Sequence, residues 1–107
     1  MPQFKPEHEN ALHKMVKDVP GATLGQMFGF PAYKIDGKLG LSVASNGIIL
    51  KVGATRAKQL AGQPGLSSYE PQPGRVWKDW VLVTGNFDQH KALFDEAVKY
   101  VRAEKKK

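Results

Sequence analysis

The sequence predicts an α+β domain in which an antiparallel β-sheet is packed by flanking helices. Stretches with apolar residues at helical spacing lie near both ends of the chain, and alternating apolar segments with turn residues lie between them. The composition, with 41% hydrophobic and 24% charged residues, is that of an ordinary globular protein. Because 107 residues fit one domain, we expect a single domain over residues 1–107, with residues 104–107 as a frayed tail.

Two helices are predicted from their apolar stripes. The first covers about residues 6–19, and Pro20 and Gly21 end it. The last begins near Asn86 or Asp88. The stripes are Leu12, Met15, Val16 and Val19 in the first helix, and Leu93, Phe94, Ala97, Val98 and Val101 in the last. A sheet with one apolar face needs a cover of this kind.

A β-hairpin is predicted in the middle of the chain. A two-residue Asn46-Gly47 turn would pair Val43 with Leu50 and Leu41 with Val52. The alternation then places one set of side chains on a common apolar face, namely Leu39, Leu41, Val43, Leu50 and Val52. We expect the two helical stripes to bury this face.

The turn before this hairpin has two possible lengths. A two-residue Asp36-Gly37 loop would pair Lys34 with Leu39, which would place a charge on the apolar face. A three-residue loop with Gly37 in the left-handed conformation would instead pair Tyr33 with Leu39. We therefore predict the three-residue loop.

The second half of the chain predicts a short helix followed by two strands. Thr55 can cap the helix, which ends near Ala61. The strands cover residues 66–70 and 76–83, and a turn at residues 71–74 joins them.

The strand at residues 76–83 has apolar side chains on both faces. Val76 and Leu82 share a face with Trp80, whereas Trp77 lies on the other face. We expect Trp80 in the core and Lys78 at the margin of that core.

Composition and charge exclude several classes of protein. The absence of cysteine excludes disulfide scaffolds, thiolate metal sites and cysteine nucleophiles. The net charge of +6 is spread along the chain and would favour acidic partners or nucleic acid. The first residues lack the pattern of a signal peptide, and no stretch is apolar enough to span a bilayer, so we expect a cytoplasmic protein with no membrane contact.

No sequence motif predicts catalysis. His8 and His13 are five residues apart, which does not place them together on one face of a helix. Neither G-x-G-x-x-G nor G-x-x-x-x-G-K-[ST] occurs, so no phosphate-binding loop is recognised. We therefore expect a protein with no catalytic residue, no metal ion and no cofactor.

One predicted surface could bind anions. On the register above, Lys34, Lys38 and Lys51 share a sheet face with Ser42, opposite the apolar residues. The candidate anion-binding residues, including basic residues of neighbouring segments, are Lys34, Lys38, Lys51, Arg56, Lys58, Arg75 and Lys78. The plainer alternative is that these lysines keep a wet sheet face soluble. Stacking of nucleic-acid bases would require one of the two tryptophans beside the lysines.

Several segments form a recognisable pattern. They are Met27-Phe28-Gly29, Pro31, Tyr33, Asp36-Gly37-Lys38, Ile48-Ile49-Leu50-Lys51 and Gly74-Arg75-Val76-Trp77-Lys78-Asp79-Trp80-Val81. Together, over about residues 10–103, they resemble the N-terminal domain of the TfoX/Sxy family. The resemblance implies a two-layer fold similar to YjbR-like and secretion-chaperone-like architectures. Family members with an additional C-terminal helical domain are linked to regulation of competence genes, whereas here we expect a stand-alone domain.

The leading functional hypothesis is a non-enzymatic module that binds a protein or another macromolecular partner in regulation. Two alternatives stay open. One is weak nucleic-acid binding through the lysine-bearing sheet face, and the other is a small-molecule enzyme. The sequence names neither the partner nor the oligomeric state.

Overall fold

The computed structural model describes residues 5–27, 29–85 and 87–103. Its elements are α1 (Pro6–Val16), β1 (Ala22–Met27), β2 (Phe30–Ile35), β3 (Lys38–Ala44), β4 (Gly47–Lys51), α2 (Ala54–Leu60), β5 (Leu66–Gln72), β6 (Arg75–Val83) and α3 (Lys91–Ala103), the last preceded by a 3₁₀ turn (Phe87–His90). The strands form one antiparallel sheet in the order β1-β2-β3-β4-β6-β5. The predicted α+β class, an antiparallel sheet packed by helices, is confirmed.

One face of the sheet packs against the helices, and we call it the helix-covered face. Most residues of the predicted helical stripes are buried there, with Leu12 and Val16 from α1 and Phe94 from α3 among the most enclosed side chains, whereas Met15 and Val19 are partly buried. The strand residues of this core are Tyr33, Ile35, Leu41, Val43, Ile48, Leu50, Leu66, Val81 and Val83, with Val52 just after β4. Four of the five predicted strand positions are therefore confirmed, and Leu39 is the exception.

The β3–β4 hairpin differs from its predicted register by two residues. Leu41 pairs with Leu50, and Ala44 pairs with Gly47, so the two-residue loop is Ser45-Asn46. A shift of two positions preserves which side chains share a face. For this reason the prediction of which side chains share a face is correct for this hairpin, although the predicted turn is wrong.

The β2–β3 loop has two residues, so the predicted three-residue loop is wrong. Ile35 pairs with Lys38, which leaves Asp36 and Gly37 as the loop. Their φ angles are 53° and 83°, and two consecutive left-handed residues are the geometry of the tight hairpin turn that Asp-Gly favours.

The two-residue loop was expected to place Lys34 on the apolar face, but a bulge in β3 avoids this. Lys34 pairs with Leu39 and Tyr33 pairs with Leu41, so Gly40 is an extra residue on β3. The extra residue reverses the alternation, and Leu39 lies on the opposite face from Leu41. Lys34 consequently stays exposed and outside the main core.

Other boundaries also differ from the predictions. Helix α1 ends at Val16, three residues early, and β1 was not predicted at all. Gly53, with a φ of 92°, is the N-cap of α2, and no side chain caps this helix, so the predicted Thr55 cap is wrong. The proposed helix start at Asn86 and the tail at residues 104–107 lie outside the described residues.

None of the helices in the described part of the chain has the length and apolarity that a membrane crossing needs.

Candidate functional site

The second face of the sheet is also apolar, and we call it the open face. Every described residue of its apolar cluster belongs to a strand. Helices α1 and α3 pack on the other side of the sheet. The buried members are Ala44, Ile49, Trp80 and Leu82, and the partly buried members are Met27, Leu39, Tyr69 and Trp77. Ile49 is 0% exposed. The expectation of a wet, lysine-bearing face is therefore wrong for this part of the sheet.

Curling of the sheet buries this face without a helix. Phe30 of β2 and Tyr69 of β5 line the same hollow of about 480 Å³, together with residues of the β3–β4 loop. Strands β3, β4 and β6 lie between β2 and β5 in the sheet. That two such distant strands line one hollow indicates that the sheet bends toward its open face, although Phe30 also packs against the core of the helix-covered face.

An aromatic cluster of Tyr69, Trp77 and Trp80 lies at the β5–β6 end of this face. The ring centroids of Tyr69 and Trp77 are 5.2 Å apart and nearly perpendicular, and those of Trp77 and Trp80 are 5.8 Å apart. Burial raises the pKa of the Tyr69 hydroxyl. The expected burial of Trp80 is confirmed, but Val76, which was expected to share its face, is 47% exposed. The prediction that Trp77 lies on the opposite face is wrong, since Trp77 packs in the same cluster as Trp80.

The position of Trp77 follows from an irregularity in the β5–β6 pairing. Ser68 pairs with Val81, whereas the next residue, Tyr69, pairs with Trp77. Residues 78–80 of β6 are thus extra with respect to β5. Such a long insertion bends the strand and changes the direction of its side chains, which a count of alternating positions does not reveal.

A groove between α2 and β6 borders the aromatic cluster, and we call it the tryptophan groove. It has a volume of about 280 Å³. It is lined by Ala54, Ala57, Lys58, Ala61, Ser68, Val76, Trp77, Lys78 and Trp80. Ala54 and Ala57 lie one turn apart on α2 and Ala61 is the C-cap residue of this helix, and their small side chains leave the space open. The two lysines are the charged residues of the described lining.

Backbone hydrogen bonds hold α2 beside β6. The N–H groups of Val52 and Gly53 both donate to the carbonyl oxygen of Asp79, at 2.9 and 3.1 Å. These bonds join the residues just before α2 to the irregular part of β6. The two sides of the groove, α2 and β6, are therefore fixed relative to each other.

The structure divides the seven predicted basic residues into separate places. Lys58 and Lys78 meet at the tryptophan groove. Lys51 is half-buried and pairs in register with Trp80, and Arg75 is exposed at the start of β6. Lys34 lies far along the sheet, on β2.

Lys38 and Arg56 contact the last helix instead. The Lys38 ammonium donates to the carbonyl oxygen of Arg102 at 3.1 Å. The Arg56 Nε donates to a Glu96 carboxylate oxygen at 2.8 Å. Lys38 is thus on the helix-covered side, so the prediction that it shares a face with Lys34 and Lys51 is wrong. Ser42, which was grouped with them, is fully buried.

The two histidines of α1 each contact an aromatic side chain of another element. The His13 Nδ1 is 2.6 Å from the Tyr33 hydroxyl, and His8 is buried with its ring edge-on to Phe87. Among the residues described, no group of three or more His, Asp or Glu side chains could hold a metal ion.

Sequence reasoning missed the alanine wall of the groove. Its signal was present, since Ala54, Ala57 and Ala61 recur at helical spacing, but alanine alone does not distinguish a groove wall from a packed surface. Comparison of the chain with family models, with curated proteins and with solved structures gave no match.

Proposed function

We propose that this domain is a non-enzymatic binding module whose tryptophan groove takes an acidic segment of a protein partner. One observation carries the proposal: the groove combines apolar lining residues with two lysines. Lys58 and Lys78 are the charged residues among the described residues that line it. A segment with one large apolar side chain and nearby carboxylates complements such a surface.

The groove offers the features from which strong contacts are built. A partner side chain would lie mainly against the half-buried Trp77, and tryptophan is enriched among the residues that contribute most to binding at protein interfaces. Lys58 and Lys78 are exposed, so their ammonium groups can reach carboxylates at the rim. Rim charges of this kind mainly raise the association rate and select the partner.

The resemblance to the TfoX/Sxy N-terminal domain supports a regulatory role. Part of that resemblance lies in Gly74-Arg75-Val76-Trp77-Lys78-Asp79-Trp80-Val81, which contains four residues of the groove. We propose that the chain is a member of this family and that its partner is a regulatory protein.

The first test uses charge reversal in the groove. Wild-type protein and the Lys58→Glu/Lys78→Glu variant are compared as baits for partners from the native cell. We expect the variant to lose the partner that wild-type protein retains. The Lys14→Glu/Lys99→Glu variant, with the same charge change at exposed positions of α1 and α3, should retain it. Loss from both variants would show that binding depends on net charge, which contradicts the proposal.

Tryptophan fluorescence then locates the isolated partner segment. The sequence contains two tryptophans, and both line the groove. Binding in the groove should therefore shift the emission of the protein. Binding that leaves the emission unchanged would place the partner elsewhere.

Single-stranded nucleic acid is a second candidate because Trp77 is half-buried and lies beside lysines, which together could stack and neutralise a nucleotide. Trp80 is only 9% exposed and offers little ring surface. We expect a dissociation constant of about 10⁻⁴ to 10⁻⁶ M for an oligonucleotide at physiological salt. Sequence-dependent nanomolar binding in an anisotropy titration would instead make nucleic-acid recognition the function.

A further inference from the structure

The two edges of the sheet are protected differently. Strand β5 carries Glu70 and Pro71, and a charge and a proline both hinder the addition of another strand. Strand β1 (Ala22–Met27) contains no charged residue and no proline. Leu24, at its centre, is 67% exposed, more than any other large hydrophobic residue in the described chain. An unprotected edge with an exposed leucine is suited to pairing with another strand.

The outer side of β1 presents backbone groups for such pairing. The Asp36 N–H donates to the carbonyl oxygen of Gly21, which marks a hydrogen-bonded position of the β1–β2 ladder. Because these positions alternate in an antiparallel pair, the N–H and C=O groups of Leu24 and Gln26 point away from β2. Strand β2 is the one neighbour of β1 in the described sheet.

A hollow lies beside Leu24 at this edge of the sheet. It has a volume of about 250 Å³ and lies between α1 and β1. Its lining is mixed, because Glu9, Asn10 and His13 of α1 are polar, whereas Leu24 and Pro31 are apolar and Leu12 and Tyr33 are buried behind them. The exposed Leu24 side chain lines this hollow, so an added strand would cover both the leucine and the hollow.

We propose that a second copy of this chain pairs antiparallel along β1, with Leu24 facing its own counterpart across a two-fold axis. Identical antiparallel strands place equivalent residues near one another, so a charged strand would face like charges. The chain carries a net charge of +6, yet β1 is uncharged. The outward direction of the Leu24 backbone groups also allows a hydrogen-bonded Leu24–Leu24 pair at the centre.

The resulting dimer has a continuous twelve-stranded sheet, the sum of two six-stranded sheets. Two short strands and the adjoining hollows form a small interface, so association should be reversible, with a dissociation constant of roughly 1 to 100 µM. The dimer does not depend on the tryptophan groove, which is built from α2, β5 and β6.

Sedimentation velocity over a wide concentration range tests the proposal. We expect a monomer–dimer equilibrium for the wild-type chain and at least tenfold weaker association for Leu24→Lys. Val76→Lys is the matched control, because Val76 is the other exposed large hydrophobic residue in the described chain; it should dimerise as wild type does. Circular dichroism verifies that both variants fold. A wild-type chain that stays monomeric at several hundred micromolar, or a dimer that only Val76→Lys disrupts, overturns the proposal.

Cysteine crosslinking gives a second measurement, since the sequence contains no cysteine. Under mild oxidation Leu24→Cys should give a disulfide-linked dimer, because facing residues of paired strands lie within disulfide distance. Val76→Cys should stay monomeric under the same conditions. Equal crosslinking of the two variants would indicate random collision and would contradict the two-fold pairing.

Discussion

The two faces of the sheet are both apolar, but they are buried in different ways. The helix-covered face is enclosed by the stripes of α1 and α3. The open face is enclosed by its own strands, which curl so that β2 and β5 line one hollow. A face covered by helices is predictable from two matching periodicities. A face covered by curvature depends on bulges and long-range pairing, and it leaves partly exposed aromatic side chains for binding.

The largest expected effect on stability comes from a comparison of two leucines of β3, Leu41 and Leu39. Leu41 is fully buried on the helix-covered face, whereas Leu39 is half-buried on the open face. We expect Leu41→Ala to lower the free energy of unfolding by about 2 to 5 kcal/mol, because it leaves a cavity under the helices. Leu39→Ala should cost only about 1 kcal/mol. Chemical denaturation measures both, and equal losses would contradict the bulge at Gly40.

Ile49→Ala tests whether the open face is a true core. Ile49 is 0% exposed although no described helix lies over it. If the curled strands enclose it as well as helices would, the substitution should lower the free energy of unfolding by about 2 to 4 kcal/mol. A loss below about 0.5 kcal/mol would mean that the sheet is flatter and that Ile49 meets solvent.

The smallest expected effect concerns pH and the helix α1. Burial lowers the pKa of His8 below its ordinary value of 6.5, and the positive charge of Lys5 lowers it further, against the opposing influence of Glu7. Below pH 6.5 the unfolded chain therefore binds a proton more readily than the folded chain, so stability should be full above this pH and should fall as the pH drops below it.

Thermal unfolding between about pH 8 and pH 5 measures this dependence. His8→Leu removes the titrating group and also a ring nitrogen, Nδ1, that has no hydrogen-bond partner among the described residues. The variant should lose part of the decrease in Tm on the acid side. If the variant and the wild-type chain decline in parallel, His8 does not link the packing of α1 to pH.

Much of the helix-covered face could be predicted because its signals are local. Five apolar positions of α3 repeat at helical spacing, and all five are buried. The faces of the β3–β4 hairpin were also predicted, even though its register was wrong, because a shift of two residues preserves alternation. Strand β1 gave no such signal, since its residues follow neither an apolar alternation nor a helical period.

The candidate site could be predicted only in part. Lys58 and Lys78 were identified as basic residues, but twenty positions separate them in the sequence. They meet at one groove because Val52 and Gly53 hydrogen-bond to Asp79, which joins the start of α2 to β6. Contacts between residues so far apart leave no periodic trace in a single sequence.

The sequence by itself determined the fold class and the apolar stripes of the outer helices, because these depend on spacing and side-chain chemistry. The tertiary structure alone decided the turn lengths, the bulge and the curl of the sheet. A Cβ atom at Gly47 would lie 2.2 Å from the Val83 carbonyl oxygen, and one at Gly40 would lie 2.5 Å from a Val101 methyl group. Both glycines are therefore required by close approaches between distant segments, and those approaches exist only after the chain has folded.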